Sequence, residues 1–151
     1  MSKTNTYVSL YFHVIFSTKN RITFLDKNIR DRLYPFISGI GKKNKIVLNC
    51  IGGTDDHVHI LLSLRPDMSL SKAVQLIKGG SSKWINSEFS NTKFFSWQEG
   101  YAGFTVSVSL VEKVKKYITN QEEHHKKINF KEEYREFLEK NGVDYKEEYL
   151  F

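Results

Sequence analysis

Gly52-Gly53-Thr54-Asp55-Asp56-His57-Val58-His59-Ile60-Leu61-Leu62 carries a polar turn directly into an apolar run that opens with two histidines. On an extended strand successive side chains point to opposite faces, so His57 and His59 project together while Val58, Ile60, Leu62 and Leu64 face the other way. The apolar face needs cover. The histidine face offers two imidazoles at a spacing that lets them share one metal ion. Neutral imidazole is a common metal ligand, and two of them leave positions for a third side chain, water or substrate oxygens. The same pair also suits a strand start whose polar residues bond to backbone or solvent, so its meaning depends on the rest of the chain.

The preceding run, Ile46 to Gly52, is apolar and close enough to pair with the histidine strand as an antiparallel hairpin. Further upstream, Tyr7 to Thr18 is rich in aromatic and β-branched residues and is expected to form a long first strand, with His13 as a hydrogen-bonded structural residue within it. Asp26 can cap a helix from Lys27 to Gly41, on which Ile29, Leu33, Phe36, Ile37 and Ile40 recur at helical spacing and Pro35 is expected to introduce a kink. Downstream, Ser69 can cap a second helix carrying Leu70, Ala73, Val74, Ile77, Trp84, Ile85 and Phe89 on one side. Gly79-Gly80 is expected to interrupt it, either for packing or to let backbone approach a phosphate. Two more strands are expected at Phe94 to Glu99 and Tyr101 to Val108. Ser109 with Glu112 matches a capping box for a third helix over about 110–125, followed by a charged helix at 131–140 and an acidic, aromatic tail to 151. This order predicts an α+β fold in a single domain spanning 1–151, an antiparallel sheet with packed helices close to the ferredoxin-like plan.

The 40% hydrophobic content, with 11 Phe and 8 Tyr against 2 Pro, is that of an ordered globular chain. No apolar run approaches the roughly 18 residues needed to span a bilayer. With the polar start MSKTNT and a lone Cys50, that points to a soluble, cytoplasmic protein without disulfides. The formal charge of +6 is unevenly spread: residues 1–109 hold 14 Lys and Arg against 7 Asp and Glu, and residues 110–151 hold 9 against 10. A basic body attracts polyanions, nucleic acid foremost. Lys42, Lys43, Lys45, Arg65, Lys78 and Lys83 are the candidate phosphate contacts.

The third helix contains Tyr117 and Gln121, one turn apart and on one face. A tyrosine hydroxyl is a weak nucleophile near neutrality unless a cation or base favours the phenolate, and a glutamine carbonyl can complete a metal site begun by two histidines.

Taken together, His57-Val58-His59 after Gly-Gly-Thr-Asp-Asp, WQEGY at 97–101 and YITNQEEHHKK at 117–127 resemble the single-tyrosine transposases of the HUH endonuclease superfamily. The resemblance runs from about Tyr7 to Phe137. It implies that His57, His59 and Gln121 bind Mg²⁺ or Mn²⁺ and that Tyr117 is the nucleophile. Members of that family cut and rejoin single-stranded DNA near hairpins at insertion-sequence ends through a 5′-phosphotyrosine. They work as homodimers whose tyrosine helix acts in trans. A sister branch, the REP-associated tyrosine transposases, fits the same motifs.

Outside this resemblance, a DNA-hairpin-binding protein that does not cut would not need Tyr117, His57 or His59. A water-using metallohydrolase would need an activator, for which Asp55 and Asp56 are the local candidates. His124 and His125 are expected to be solvated near a helix end, with a further ligand or a DNA contact as the other readings.

Overall fold

A computed structural model describes residues 5–89 and 94–151. Its elements run β1 (Tyr11–Ser17), α1 (Lys27–Lys43), β2 (Val47–Gly53), β3 (His57–Ser63), α2 (Leu70–Glu88), β4 (Ala102–Val106), α3 (Val111–Thr119), α4 (Gln121–His124) and α5 (Phe130–Lys140). The first six form a β-α-β-β-α-β unit. Its four antiparallel strands lie in the order β2-β3-β1-β4, which is the ferredoxin-like plan.

Alternation along the two central strands divides the molecule. Val14 and Phe16 of β1, with Val58, Ile60 and Leu62 of β3, pack against Ile29, Leu33 and Ile37 of α1 and Ala73, Val74 and Ile77 of α2. The opposite face carries Ile15, Leu61 and the histidines. It is covered by α3 through Ile118 and by α5 through Phe130, Tyr134 and Leu138. Helices therefore cover both faces, and the histidine strand is buried along its whole length except at Ser63.

Caps fix two of the helices where the sequence places them: Asp26 accepts from the Ile29 amide at 2.9 Å, and Ser69 from the Lys72 amide at 3.1 Å. α1 continues through Pro35. The expected interruption at Gly79-Gly80 does not occur. A Cβ at position 80 would come within 2.8 Å of the Ile40 side chain, so the missing side chain serves the close packing of α2 on α1. Gly52 has a matching role on the other face, because a Cβ there would overlap the Ile118 carbonyl of α3. α3 thus lies directly on β2.

Three further expectations are corrected. Residues 94–99 form no strand: only the isolated Thr18–Trp97 bridge pairs. Side chains have claimed the backbone there. Asn86 bonds both the amide and the carbonyl of Phe95, and the Lys78 ammonium takes the carbonyls of Gln98 and Gly100. β1 starts at Tyr11 rather than Tyr7. The Ser109–Glu112 capping box is absent, since Ser109 sits inside a 3-10 turn, Val108–Leu110, and α3 starts behind Leu110 with no side-chain cap. The C-terminal tail is docked. Leu150 is buried beside α5, its carbonyl accepts from Gln98 at 3.0 Å, and Glu147 pairs with Arg135 at 2.6 Å. No described helix is long and apolar enough to cross a membrane.

Candidate metal and nucleophile site

β3 delivers both histidines to the face under α3–α5, where each is fully buried. His57 Nδ1 lies 2.8 Å from Asp56 Oδ1 and 3.1 Å from Thr54 Oγ1, so the polar turn ahead of the strand fixes the ring. Its face stacks on Phe130 at 4.1 Å. Nε2 is thereby aimed inward, 3.1 Å from Gln121 Oε1. His59 Nδ1 shares a 2.8 Å hydrogen bond with His13 Nε2 on the neighbouring strand, which leaves its own Nε2 facing the same point. This arrangement, with one ring nitrogen held and the other presented, is how proteins orient metal-ligating histidines. His13 accordingly has the hydrogen-bonded role expected of it, and its partner is one of the strand histidines.

Gln121 opens α4, one turn beyond Tyr117, and is 1% exposed. Its Oε1 lies 3.1 Å from His57 Nε2 and 3.0 Å from His125 Nε2. His125 is therefore part of the site, contrary to the expectation of a solvated residue. His124, less buried, reaches the Tyr117 hydroxyl at 3.2 Å.

The centre of the cluster is Glu133 of α5, 1% exposed. Its Oε1 accepts from His59 Nε2 at 3.0 Å and His125 Nε2 at 3.1 Å, and lies 3.6 Å from His57 Nε2. Its Oε2 accepts a short hydrogen bond from Tyr117 and sits 3.2 Å from His124 Nε2. Burial by itself would raise the Glu133 carboxyl, but hydrogen bonds from His125 and His59 outweigh it and hold the group far below the usual carboxylate range. Burial pulls His59 down to about 4 despite its bond to Glu133. Burial and then the Glu133 charge push the Tyr117 phenol well above its ordinary range, so it sits here as a hydrogen-bond donor.

The donor atoms of His57, His59, His125 and Glu133 all lie within 4.8 Å of one another. A divalent ion with bonds of about 2.1 Å keeps neighbouring donors about 3 Å apart, which the 3.0, 3.1 and 3.6 Å separations around Glu133 Oε1 match. The residues therefore fit a metal. Sequence reasoning missed Glu133 and the part played by His125, although His125 lies four residues after Gln121.

The candidate DNA contacts divide. Lys43 and Lys83, with Lys72, line a cleft of about 890 Å³ between α1 and α2, on the side of the sheet away from the histidines. Exposed Lys42 and Lys45 stand next to it at the end of α1. The Lys78 ammonium donates to the carbonyls of Gln98 and Gly100, and Arg65 pairs with Asp67 at 3.3 Å.

One chain brings His57, His59, Tyr117 and Gln121 together.

The chain matches the IS200-like transposase family model over residues 6–121. It is 28% identical over 127 residues to the ISDra2 transposase TnpA of Deinococcus radiodurans, covering 80% of this chain and 91% of that protein. It is 36% identical over 76 residues to the IS200 transposase of Salmonella typhimurium, about half of either chain. A crystal structure of a Deinococcus radiodurans transposase superposes with a TM-score of 0.63 at 29% identity, over 80% of this chain and 98% of that one. A REP-associated tyrosine transposase bound to a REP hairpin shares the fold, with a TM-score of 0.57 at 17% identity over 78% and 70%. The family match includes the histidine strand and ends at Gln121, leaving His125 and Glu133 beyond it, and on its extent the chain belongs to the IS200-like transposases.

Proposed function

We propose that this transposase cuts and rejoins single-stranded DNA beside hairpins, with Tyr117 as nucleophile and a divalent metal held by His57, His59 and Gln121 together with His125 and Glu133. The observation that carries the reading is the convergence of a tyrosine hydroxyl and five metal-competent side chains on one buried point. When bound, the metal supplies Lewis acidity to the scissile phosphate. The chain's own residues do the rest. Asp56 and His13 hold the two histidine rings. The Tyr117 oxygen bonds to phosphorus, the bond from phosphorus to the 3′-oxygen breaks, and the phenol proton is balanced by the one gained on the departing 3′-hydroxyl. One phosphodiester replaces another, so rejoining needs no nucleotide cofactor. An imidazole-rich donor set favours Mn²⁺ over Mg²⁺, which prefers oxygen ligands and retains water.

The lysine-rimmed cleft between α1 and α2 is the proposed seat of the hairpin stem. Hairpin affinity should therefore fall steeply with salt as phosphates are neutralised and counterions released. Replacing Lys43 and Lys83 by alanine should reduce the slope of log affinity against log salt by about two. An unchanged slope, measured by fluorescence anisotropy, would place the DNA elsewhere.

The homodimer implied by the resemblance remains part of the proposal. The intrachain contacts, however, support a tyrosine that serves its own chain's histidines. A His57→Ala/His59→Ala chain mixed with a Tyr117→Phe chain is then expected to stay inactive after subunit exchange. Recovery of cleavage would mean that α3 crosses to the partner.

A further inference from the structure

We propose that Glu133 is a positioning residue that ties the metal site to the nucleophile, one carboxylate oxygen belonging to the donor set and the other holding the Tyr117 hydroxyl. The inference rests on the reading of Tyr117 and the histidines given above and adds to it a residue outside the matched family region.

The division of labour is visible in the carboxylate. Oε1 faces His57, His59 and His125, whereas Oε2 faces Tyr117 and His124. A buried carboxylate is costly unless fully bonded, and here both oxygens are engaged by groups the chemistry would use. Glu133 is also carried on a rigid support. α5 is capped by Asn129, which accepts from the Glu132 amide at 2.9 Å. Phe130 and Tyr134 anchor it to the sheet face beside Ile15, Ala102 and Phe104, and Phe130 additionally lies against His57. The tail closes over it through Leu150 and the Arg135–Glu147 pair. A hydroxyl held by a carboxylate whose other oxygen faces the metal is kept within one carboxylate's width of the reacting phosphate. Such placement is what makes a weak nucleophile effective. α5 is thus a working part of the active site.

The alternative is that Glu133 only neutralises the surrounding imidazoles. The two roles separate in the full-length protein by calorimetric Mn²⁺ titration and by fluorine NMR with 3-fluorotyrosine incorporated at position 117. The expected result is that Glu133→Gln weakens Mn²⁺ binding by at least the roughly 10–100-fold that losing a supporting partner costs. Saturating Mg²⁺ should move the position-117 fluorine resonance in the parent protein and leave it nearly unmoved in Glu133→Gln. Glu133→Asp, which keeps the charge on a shorter stem, should retain folding and recover part of the Mn²⁺ affinity but little of the fluorine response. Unchanged Mn²⁺ affinity in both variants would overturn the ligand role, and an equal fluorine displacement in all three proteins would overturn the link to Tyr117. If Glu133→Gln fails to fold, the Glu133→Asp pair of measurements decides alone. Failure of the nucleophile reading would appear separately, as a parent protein that forms no DNA adduct while both readouts stand.

Discussion

Tyr117→Phe is expected to abolish the covalent DNA adduct and reduce strand cleavage to below about one thousandth of the parent rate, because it removes only the oxygen proposed to attack phosphorus. The ring's surroundings should survive. Tyr117 packs edge-on against Phe137 at 5.6 Å and His59 at 5.7 Å, contacts that a phenyl ring keeps. Hairpin affinity should stay within about twofold, since the lysine cleft lies on the other face of the sheet. The check is a denaturing gel for the adduct beside a binding titration on the same DNA. Adduct formation by the variant would remove Tyr117 from the mechanism, and loss of both activities together would indicate a folding defect.

His59→Ala should have a comparably large effect by a different route. It removes an imidazole from the centre of the donor set, deprives Glu133 Oε1 of a 3.0 Å donor and leaves the His13 ring without its buried partner. Mn²⁺ affinity should drop by more than the roughly 10–100-fold typical of losing a supporting partner. Calorimetry reads this directly. A variant that binds Mn²⁺ like the parent protein would show that the metal, if required, sits elsewhere.

How much of this could be read from sequence varies with the kind of signal each residue carries. His57 and His59 were readable because a strand has a period of two and the residues between and after them are apolar. Helical spacing put Tyr117 and Gln121 on one face, while their roles come only from the family resemblance, and the chain breaks between α3 and α4 at Asn120, whose ψ of 22° is not helical. His125 was obscured by its setting, Glu122-Glu123-His124-His125-Lys126-Lys127, which looks like a solvated helix end. Glu133 did leave a trace. Phe130, Tyr134 and Leu138 form the buried stripe of α5, with half-buried Phe137 beside them, and Glu133 stands within it at helical spacing, a carboxylate where an apolar residue belongs. A charged residue in a core stripe asks for partners, and here they are the histidines.

The β-α-β-β-α-β order was likewise available from periodicity and caps, apart from residues 94–99. Their aromatic composition resembles a strand. Apart from the Thr18–Trp97 bridge, however, the Phe95 amide and carbonyl and the Gln98 carbonyl go to Asn86 and Lys78, side chains on α2 whose reach only the folded arrangement reveals. The crossing of the tyrosine helix to a partner is implied by the family resemblance alone, and the junction it would use lies around Ser107 to Ser109. In the structure that junction is a single 3-10 turn leading into a helix that rests on β2 of the same chain.

The proposed mechanism requires Tyr117 to become covalently attached to DNA at this site. The most direct test incubates the protein with Mn²⁺ and a single-stranded oligonucleotide containing a hairpin, digests the product with nuclease and protease, and maps the modified peptide by mass spectrometry. The expected product is a nucleotide 5′-phosphate on Tyr117, with a free 3′-hydroxyl on the released fragment and no modification when the metal is chelated. A nucleotide on any other residue, or cleavage that leaves no protein-bound nucleotide at all, would contradict it.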